Sequence, residues 1–416
     1  MSVEAKPGPR RWLSLSQTFT AFRYPNYRLW FFGQLVSLFG TWMQSTAQGF
    51  LIYELTQSVA YLGYVVFASG LANWLFTLYA GAVADRMPRR TLLLITQSSM
   101  MTLAFILGAL TLLHVVQPWH ILVLAFALGV ANAFDAPARL AFVLEMVDRE
   151  DLVNAVALNS SMFNMATVTG PAAAGLAYAR FGPGWCFVLN GASFIAIITG
   201  LSLMKLKPWS PPARRSSPWA DIQEGLHYVV HHPSIRAMIV LIGAINLFGN
   251  SFGTLLPAWA VEVLGGDATT NGLLQSARGI GALIAALFIA SSSRMRRRGR
   301  LLMSGFFVFP VALAAFAFMR WLPLSLLTLV IAGGSVMLAN NLLNSLVQSL
   351  AADELRGRVM SIWSLTFMGL MSAGGLWIGT VAQRIGEPPT ILIGAGLTFL
   401  CALLAWVFVP RLRHIQ

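Results

Sequence analysis

Residues 92–113 read LLLITQSSMMTLAFILGALTLL and hold no charged side chain. A helix needs about 20 predominantly apolar residues to cross the hydrocarbon core of a bilayer. Twelve runs of this kind follow one another, near 28–53, 60–84, 91–114, 119–138, 154–179, 184–204, 234–261, 269–292, 301–320, 323–347, 357–383 and 389–409. A large soluble helical protein would show a polar face on most of its helices. These runs lack such faces, and only 10% of the residues are charged, against about 25% in a soluble domain. The expected fold class is an all-α integral membrane protein with twelve transmembrane helices.

The formal net charge of +13 invites a nucleic-acid reading, but its placement argues for a membrane. With the N-terminus in the cytoplasm and the runs crossing alternately, 24 of the 28 Lys and Arg fall in cytoplasmic segments. Arg180, Arg320 and Arg384 fall outside, and Arg278 lies within a run. This positive-inside bias places both termini in the cytoplasm and leaves no need for a nucleic-acid partner. The first residues, MSVEAKPGPRRWLSLSQTFTAF, lack the pattern of a cleavable signal. Their apolar-basic stretch suits the inner membrane surface. Cys186 and Cys401 lie in or beside apolar runs and offer neither a disulfide framework nor metal-ligand spacing.

A shift of 208 residues lays Pro25 on Pro233, Arg28 on Arg236 and Glu54 on Glu262. The same shift lays Arg86 and Met87 on Arg294 and Met295, and Arg89 and Arg90 on Arg297 and Arg298. EDLVNAVAL (150–158) resembles DELRGRVMS (353–361) at a slightly shorter offset. Six runs have been duplicated as six plus six. The expected organisation is a cytoplasmic segment 1–27, a six-helix bundle 28–204, a cytoplasmic linker 205–233, a second bundle 234–410 and a tail 411–416. The Pro/Ser/Arg-rich part of the linker reads as exposed. PWADIQEGLHYVV reads as a short surface helix with Ile222, Leu226, Val229 and Val230 on one side.

Between the second and third runs stands GAVADRMPRR (81–90). The twelve runs, their repeat and this loop resemble the major facilitator superfamily. Its best-known loop has a Gly, then Asp-Arg, then a basic pair, matched here by Gly81, Asp85, Arg86, Arg89 and Arg90; Pro88 stands where many members have glycine. FRYPNYRLWFFGQLVSLFGTWMQSTAQG (22–49), ANAFDAPAR (131–139), EDLVNAVALNSSMFN (150–164) and DELRGRVMS are similar to one branch. That branch is the enterobactin-exporter-like or drug:proton antiporter-3 group, also called transmembrane secretion effectors. The resemblance implies two pseudo-symmetric six-helix bundles around a central cavity in a bacterial inner membrane. It implies export by alternating access in exchange for protons. It also implies that the 81–90 loop latches the halves together on the cytoplasmic side. Asp85 would be the latch acid, and Asp135, with Arg139 on the same side, would be a partner for Arg86 or Arg89. The second copy has Ser293 in place of the acid, and positive-inside bias alone explains its arginines.

Polar side chains in hydrocarbon face the bundle interior or a wet cavity. The first run carries Gln34, Ser37, Thr41, Gln44 and Gln48 at helical spacing. The seventh carries Asn246, Asn250 and Thr254, and the tenth Asn340, Asn344 and Gln348. The resemblance expects these runs to line the cavity; interhelical hydrogen bonding, worth about 0.6 kcal/mol per bond, is the plainer alternative. In the fifth run Ala166, Gly170 and Ala174 form a small stripe that admits another helix closely, and Pro171 frees a backbone carbonyl. Gly170, Pro171 and Gly175 match the family's antiporter motif. Gly369/Ala373 and Gly375/Gly379 mirror it in the eleventh run.

Glu54, Glu262 and Asp135 are the carboxylates near membrane depth. From Arg28 to Glu54 is about 39 Å of helix, longer than a core of about 30 Å. Glu54 and its twin Glu262 therefore belong at the outer boundary, as coupling sites or as interface anchors. Arg278 lies about 16 Å along a helix from Asp267 and about 24 Å from Arg294, near mid-membrane. A charge there costs at least about 2.5 kcal/mol on insertion scales. It either snorkels outward or serves function, by binding an anionic or catechol-bearing substrate or by carrying charge.

The six histidines are scattered, and no HExxH, P-loop or nucleophile elbow is present. The chain is not expected to be an enzyme, and neither cofactor nor metal is implied. The expected function is secondary active efflux of a small amphiphilic molecule of drug, macrolide or siderophore type. Protons and the lipid bilayer are its partners, and a monomer suffices. A lysophospholipid flippase-like activity and a non-transporting membrane sensor remain alternatives at this point.

Overall fold

The computed structural model describes residues 19–84, 86–206, 218–291 and 298–408. Asp85, the second arginine loop 292–297 with Ser293, the linker stretch 207–217 and the terminal segments 1–18 and 409–416 lie outside the described residues. Among the described residues there is no strand. Among the described residues twelve helical segments have the length to cross a bilayer. In the first half they are α1 (Pro25–Thr56), α2 (Val59–Ala84), α3 (Arg89–Leu112), α4 (Pro118–Phe142), α5 (Leu152–Phe181) and α6 (Pro183–Leu203). In the second half they are α7 (Pro233–Val263), α8 (Ala268–Ser291), α9 (Arg298–Phe318), α10 (Leu322–Leu350), α11 (Arg356–Ile385) and α12 (Glu387–Phe408). Ten segments among the described residues are both long and apolar enough. The other two, α1 and α5, span 32 and 30 residues, or about 48 and 45 Å, but carry more polar side chains. Every segment begins and ends close to the apolar run expected for it.

Prolines in the first turns of α1, α4, α6, α7 and α10 mark where helices start. The N–H that proline lacks would be unpaired there in any case. Gly182 ends α5 at φ 83°, and Gly386 ends α11 at φ 87°. Glycine takes that left-handed conformation without strain, which lets α6 and α12 start at once. The two glycines occupy matching places in the repeat.

Packing follows the repeat. In the first half α1 packs on α5 and α6, α2 on α4, and α3 on α4 and α6. In the second half α7 packs on α11 and α12, α8 on α10, and α9 on α10 and α12. The halves meet along two seams, α2 on α11 and α5 on α8, which exchange under the repeat. Gly182 of the first bundle and Gly386 of the second mark one end, and residues 86–90 mark the other, the arginine end. A short helix, Pro218–His231, lies at the arginine end against α11. Val229 on it is buried, and Glu224 pairs with Arg358 at 2.5 Å. Leu226 and Val230 remain exposed, so only part of the expected apolar side is covered by protein.

One buried apolar cluster joins Met43–Tyr53 of α1 and Val59 and Leu62 of α2 to the core of the second half. A separate cluster holds the arginine end of the first half, around Trp30, Leu93, Phe142 and Phe194. Among the described residues the halves therefore share a buried core only at the Gly182 end.

The backbone departs from the repeat in α7. α1 is a continuous helix, whereas its twin α7 changes winding. Ile245–Gly249 is a π turn, Asn250–Leu255 is 3-10, and Trp259–Val263 is again π. Irregular backbone at membrane depth is tolerated where it is buried in protein or lines a cavity.

Candidate functional site

The seams are built from glycine. A Cβ on Gly175 of α5 would lie 2.6 Å from the Ala268 carbonyl and 2.9 Å from the Thr269 Cα of α8. A Cβ on Gly272 would run into the Pro171 carbonyl. Pro171 also leaves the Thr167 carbonyl without its helical donor. That oxygen faces Gly279 of α8, where an added Cβ would lie 2.9 Å away, an arrangement suited to a Cα–H···O contact. Gly170 instead admits Trp42 of α1. On the second seam, a Cβ on Gly63 would lie 2.5 Å from the Gly375 carbonyl, and one on Gly379 would lie 3.0 Å from the Gly63 Cα. Backbone meets backbone along the α5–α8 seam; on the α2–α11 seam Gly63 and Gly379 do so, while the side chains of Ser372, Trp74 and Val66 pack on Gly70, Gly369 and Gly375.

Side chains tie the Gly182 end. The Tyr53 hydroxyl donates to Glu262 across the halves at 2.6 Å, and Ser58 donates to Gln383 at 2.8 Å. Tyr178 donates to Glu54 within the first half. Both glutamates are exposed and stand at the last turns of α1 and α7.

At the arginine end the ion pairs of Arg23, Arg89, Arg139 and Arg356 each lie within one half. Arg89 pairs with Glu145 at 2.6 Å. Arg90 donates to the carbonyls of Ser202 (2.6 Å) and Met204 (3.3 Å) at the end of α6, where the helix dipole favours a cation. Arg86 is exposed, and Gly81 has open space where a Cβ would stand. Asp135 is buried and accepts from Thr96 at 2.9 Å and Gln97 at 2.8 Å, with Arg139 at 3.5 Å. The structure thus gives Asp135 the arginine one turn away on its own helix, rather than Arg86 or Arg89.

The polar stripe of α1 is buried. Gln34, Ser37, Gln44 and Gln48 are each less than 8% exposed. Gln44 accepts from Asn190 of α6 at 2.7 Å, and Gly40 abuts Asn190 and Ser193. Thr41 bonds its own helix at the Ser37 carbonyl. The face carrying Gly40 and Gln44 is therefore turned to α6. On α10, Gln348 donates to Asn344 at 2.6 Å, while Asn340 keeps a buried Oδ1 without a partner. The Gln34 Oε1 is likewise buried and unpaired.

The stripe of α7 leads to Arg278. Asn246 is fully buried and donates to the Ile242 carbonyl. Asn250 donates to Asn246 at 3.3 Å and accepts from the Arg278 guanidinium at 3.0 Å. The guanidinium carbon lies 4.8 Å from the centre of the Phe252 ring, within cation–π range. A Cβ at Gly253 would strike the same guanidinium. Three residues of the 3-10 stretch thus cradle the arginine by acceptor, ring face and empty space.

A model of the transmembrane secretion effector family matches residues 16–415. The chain belongs to that family. This secretion effector is 26% identical over 386 residues to the staphyloferrin A transporter of Staphylococcus aureus, covering 92% of this chain and 96% of that one. It is 27% identical to the multidrug efflux pump Tap of Mycolicibacterium fortuitum, with the same coverage. It is 25% identical to the enterobactin exporter EntS of Escherichia coli K12, covering 94% of each chain. Among solved structures it resembles a bacterial homologue of the lysosomal transporter Spinster (TM-score 0.73, 13% identity, covering 94% of this chain and 98% of that one). It also resembles a D-xylose–proton symporter (TM-score 0.70, 13% identity, covering 92% and 98%). These likenesses show the major facilitator fold.

Sequence reasoning did not single out Asn190, Tyr53, Gln383, Phe252 or Gly253 of this secretion effector. Asn190 and Gly253 each carried a signal: a lone amide in an apolar run, and a glycine among membrane-depth polar residues.

Proposed function

We propose that this protein is a secondary active exporter of small amphiphilic molecules in a bacterial inner membrane. The arginine end faces the cytoplasm. The halves 28–204 and 234–410 rock about the glycine seams, exposing a central site to each face in turn, in exchange for protons. The division of the buried core carries this reading: one apolar cluster crosses the halves at the Gly182 end, and a separate one stands at the arginine end. Such a division fits two bodies closed at one end and parted at the other. The names of the relatives favour export of siderophores or drugs. The positive-inside bias supports the orientation.

The test is reconstitution in proteoliposomes with an imposed pH gradient, followed by efflux of hydrophobic dyes. Gradient-dependent efflux that collapses with a protonophore is expected. Efflux unaffected by the protonophore would remove proton exchange, and no efflux of any dye, with folded protein, would sink the exporter reading.

A further inference from the structure

Arg278 is an intramembrane cation that no carboxylate among the described residues answers. It is the eleventh residue of α8, about 15 Å from the helix start. Its partners among the described residues are the neutral amide of Asn250 and the face of Phe252. A guanidinium has five N–H donors in a planar fork. Asn250 takes one of them, and the side chain is only partly buried. The repeat does not explain it, because the matching residue of the first half is Gly70, which packs on Ser372. Nor does the arginine face lipid: Gly253 makes the room it occupies, and α7 changes winding there. Its backbone packs on Gly333 of α10, and its neighbour Gly279 lies on the α5 seam.

We propose that Arg278 and the 3-10 stretch of α7 bind a carboxylate group of the transported molecule. This rests on the export reading and names the class of cargo. The free edge of the fork matches the two oxygens of a carboxylate. The neutral Asn250 holds the fork without neutralising it, so the counter-charge arrives with the cargo.

The test measures equilibrium binding to the purified full chain of 1-naphthoate and 1-naphthamide, which differ in the carboxylate alone. Wild type is expected to bind naphthoate about 10- to 100-fold more tightly, the range for hydrogen bonds to a charged group. Arg278→Gln should reduce naphthoate to the affinity of naphthamide, and Arg278→Lys should keep part of the preference. Asn250→Asp supplies a carboxylate to the fork from within. It should abolish the preference while the arginine remains, and it keeps the test alive if Arg278→Gln misfolds. No preference in wild type, or a preference that survives in Arg278→Gln or Asn250→Asp, overturns the proposal. Dye efflux is read separately: a preference without efflux keeps the site and sinks the exporter, and efflux without a preference does the reverse.

Discussion

Gly175→Ala and Gly396→Ala make the same chemical change in two helices, and the structure expects opposite signs. In a helix interior, alanine is favoured over glycine by about 0.5–1 kcal/mol. At Gly396 of α12 an added Cβ meets nothing within 4 Å, so that gain stands alone. At Gly175 the same Cβ lies 2.6 Å from a carbonyl oxygen and 2.9 Å from a Cα, both backbone atoms of α8. Ordinary contact begins at 3.4 Å, so α5 and α8 must part by about 0.8 Å, a gap that already forfeits a quarter to a half of each dispersion contact. Overpacking of this kind costs about 1–3 kcal/mol. Set against the helix gain, Gly175→Ala should be destabilised by up to about 2.5 kcal/mol. Thermal melting in detergent reads the stability, and dye efflux from proteoliposomes reads the movement. Gly175→Ala should melt a few degrees below wild type and export more slowly; Gly396→Ala should match or exceed wild type in both. If Gly175→Ala melts at or above Gly396→Ala, the α5–α8 seam is not the close contact described here.

Four further outcomes are expected. Tyr53→Phe removes a hydrogen bond to a carboxylate across the halves, worth about 1.5–3 kcal/mol when fully made and less at an exposed glutamate. Labels on either side of the Gly182 end should show more of the parted state, and an unchanged distance distribution would remove Tyr53 as a tie. Asp135→Asn sets an amide against the Gln97 amide and beside Arg139, so a stability loss of about 1–3 kcal/mol is expected; a wild-type melt would contradict the buried acceptor role. An impermeant thiol reagent should reach a cysteine placed at Gly182 from outside and one placed at Ser216 only from inside, and the reverse pattern would invert the topology. Tyr24 and Asp151 report on pH at the arginine end. The Tyr24 hydroxyl, aided by Thr20 and Arg23, holds the Asp151 carboxyl below the usual carboxylate range against desolvation, while Asp151 pushes Tyr24 up to about 12. A depressed carboxylate stabilises the fold above its unfolded value, and that contribution fades as pH falls through the folded one. Tyr24→Phe should therefore reduce acid sensitivity of the melt below pH about 4, and an identical pH profile would refute the link.

Much of the fold was legible because a bilayer imposes a length rule on every crossing. The small residues spaced by four in α5 were legible as a face for close approach, but Gly170 on it admits Trp42 of α1; of the α5–α8 seam only Gly175 was singled out, through the resemblance, and Gly272 and Gly279 were not. Glu54 and Glu262 could be placed at a boundary by counting rise per residue. What the sequence did not carry was direction. The 3,4 spacing of Gln34, Ser37, Gln44 and Gln48 puts them on one side of α1 but does not say which neighbour lies there, and for Gln44 that neighbour is Asn190 of α6. Asp135 met Arg139 because both project from one helix at a separation of four, whereas its distance to the 81–90 loop depends on how α2 and α4 pack. The change of winding in α7 had a signal in Gly249, Gly253 and Pro257, poor residues for a helix interior, but what fills the space beside the two glycines, Phe309 and the Arg278 guanidinium, is seen only in the structure.

The α5–α8 seam of bare backbone also behaves mechanically as a bearing. A joint of interlocking side chains has preferred teeth and resists small rotations. Glycine against carbonyl has no teeth, so a slight turn changes little in the contact itself. The work of choosing a state then moves to the ends of the levers. A turn of about 10° at the midpoint of α5, a helix of about 45 Å, carries each of its ends some 4 Å. That displacement is enough to break a hydrogen bond such as Tyr53–Glu262 while the fulcrum barely shifts. In the proposed rocking, contacts at the rims would set the resting position, and a cargo group held beside the fulcrum would need only a modest difference in affinity between the two tilts to reverse it.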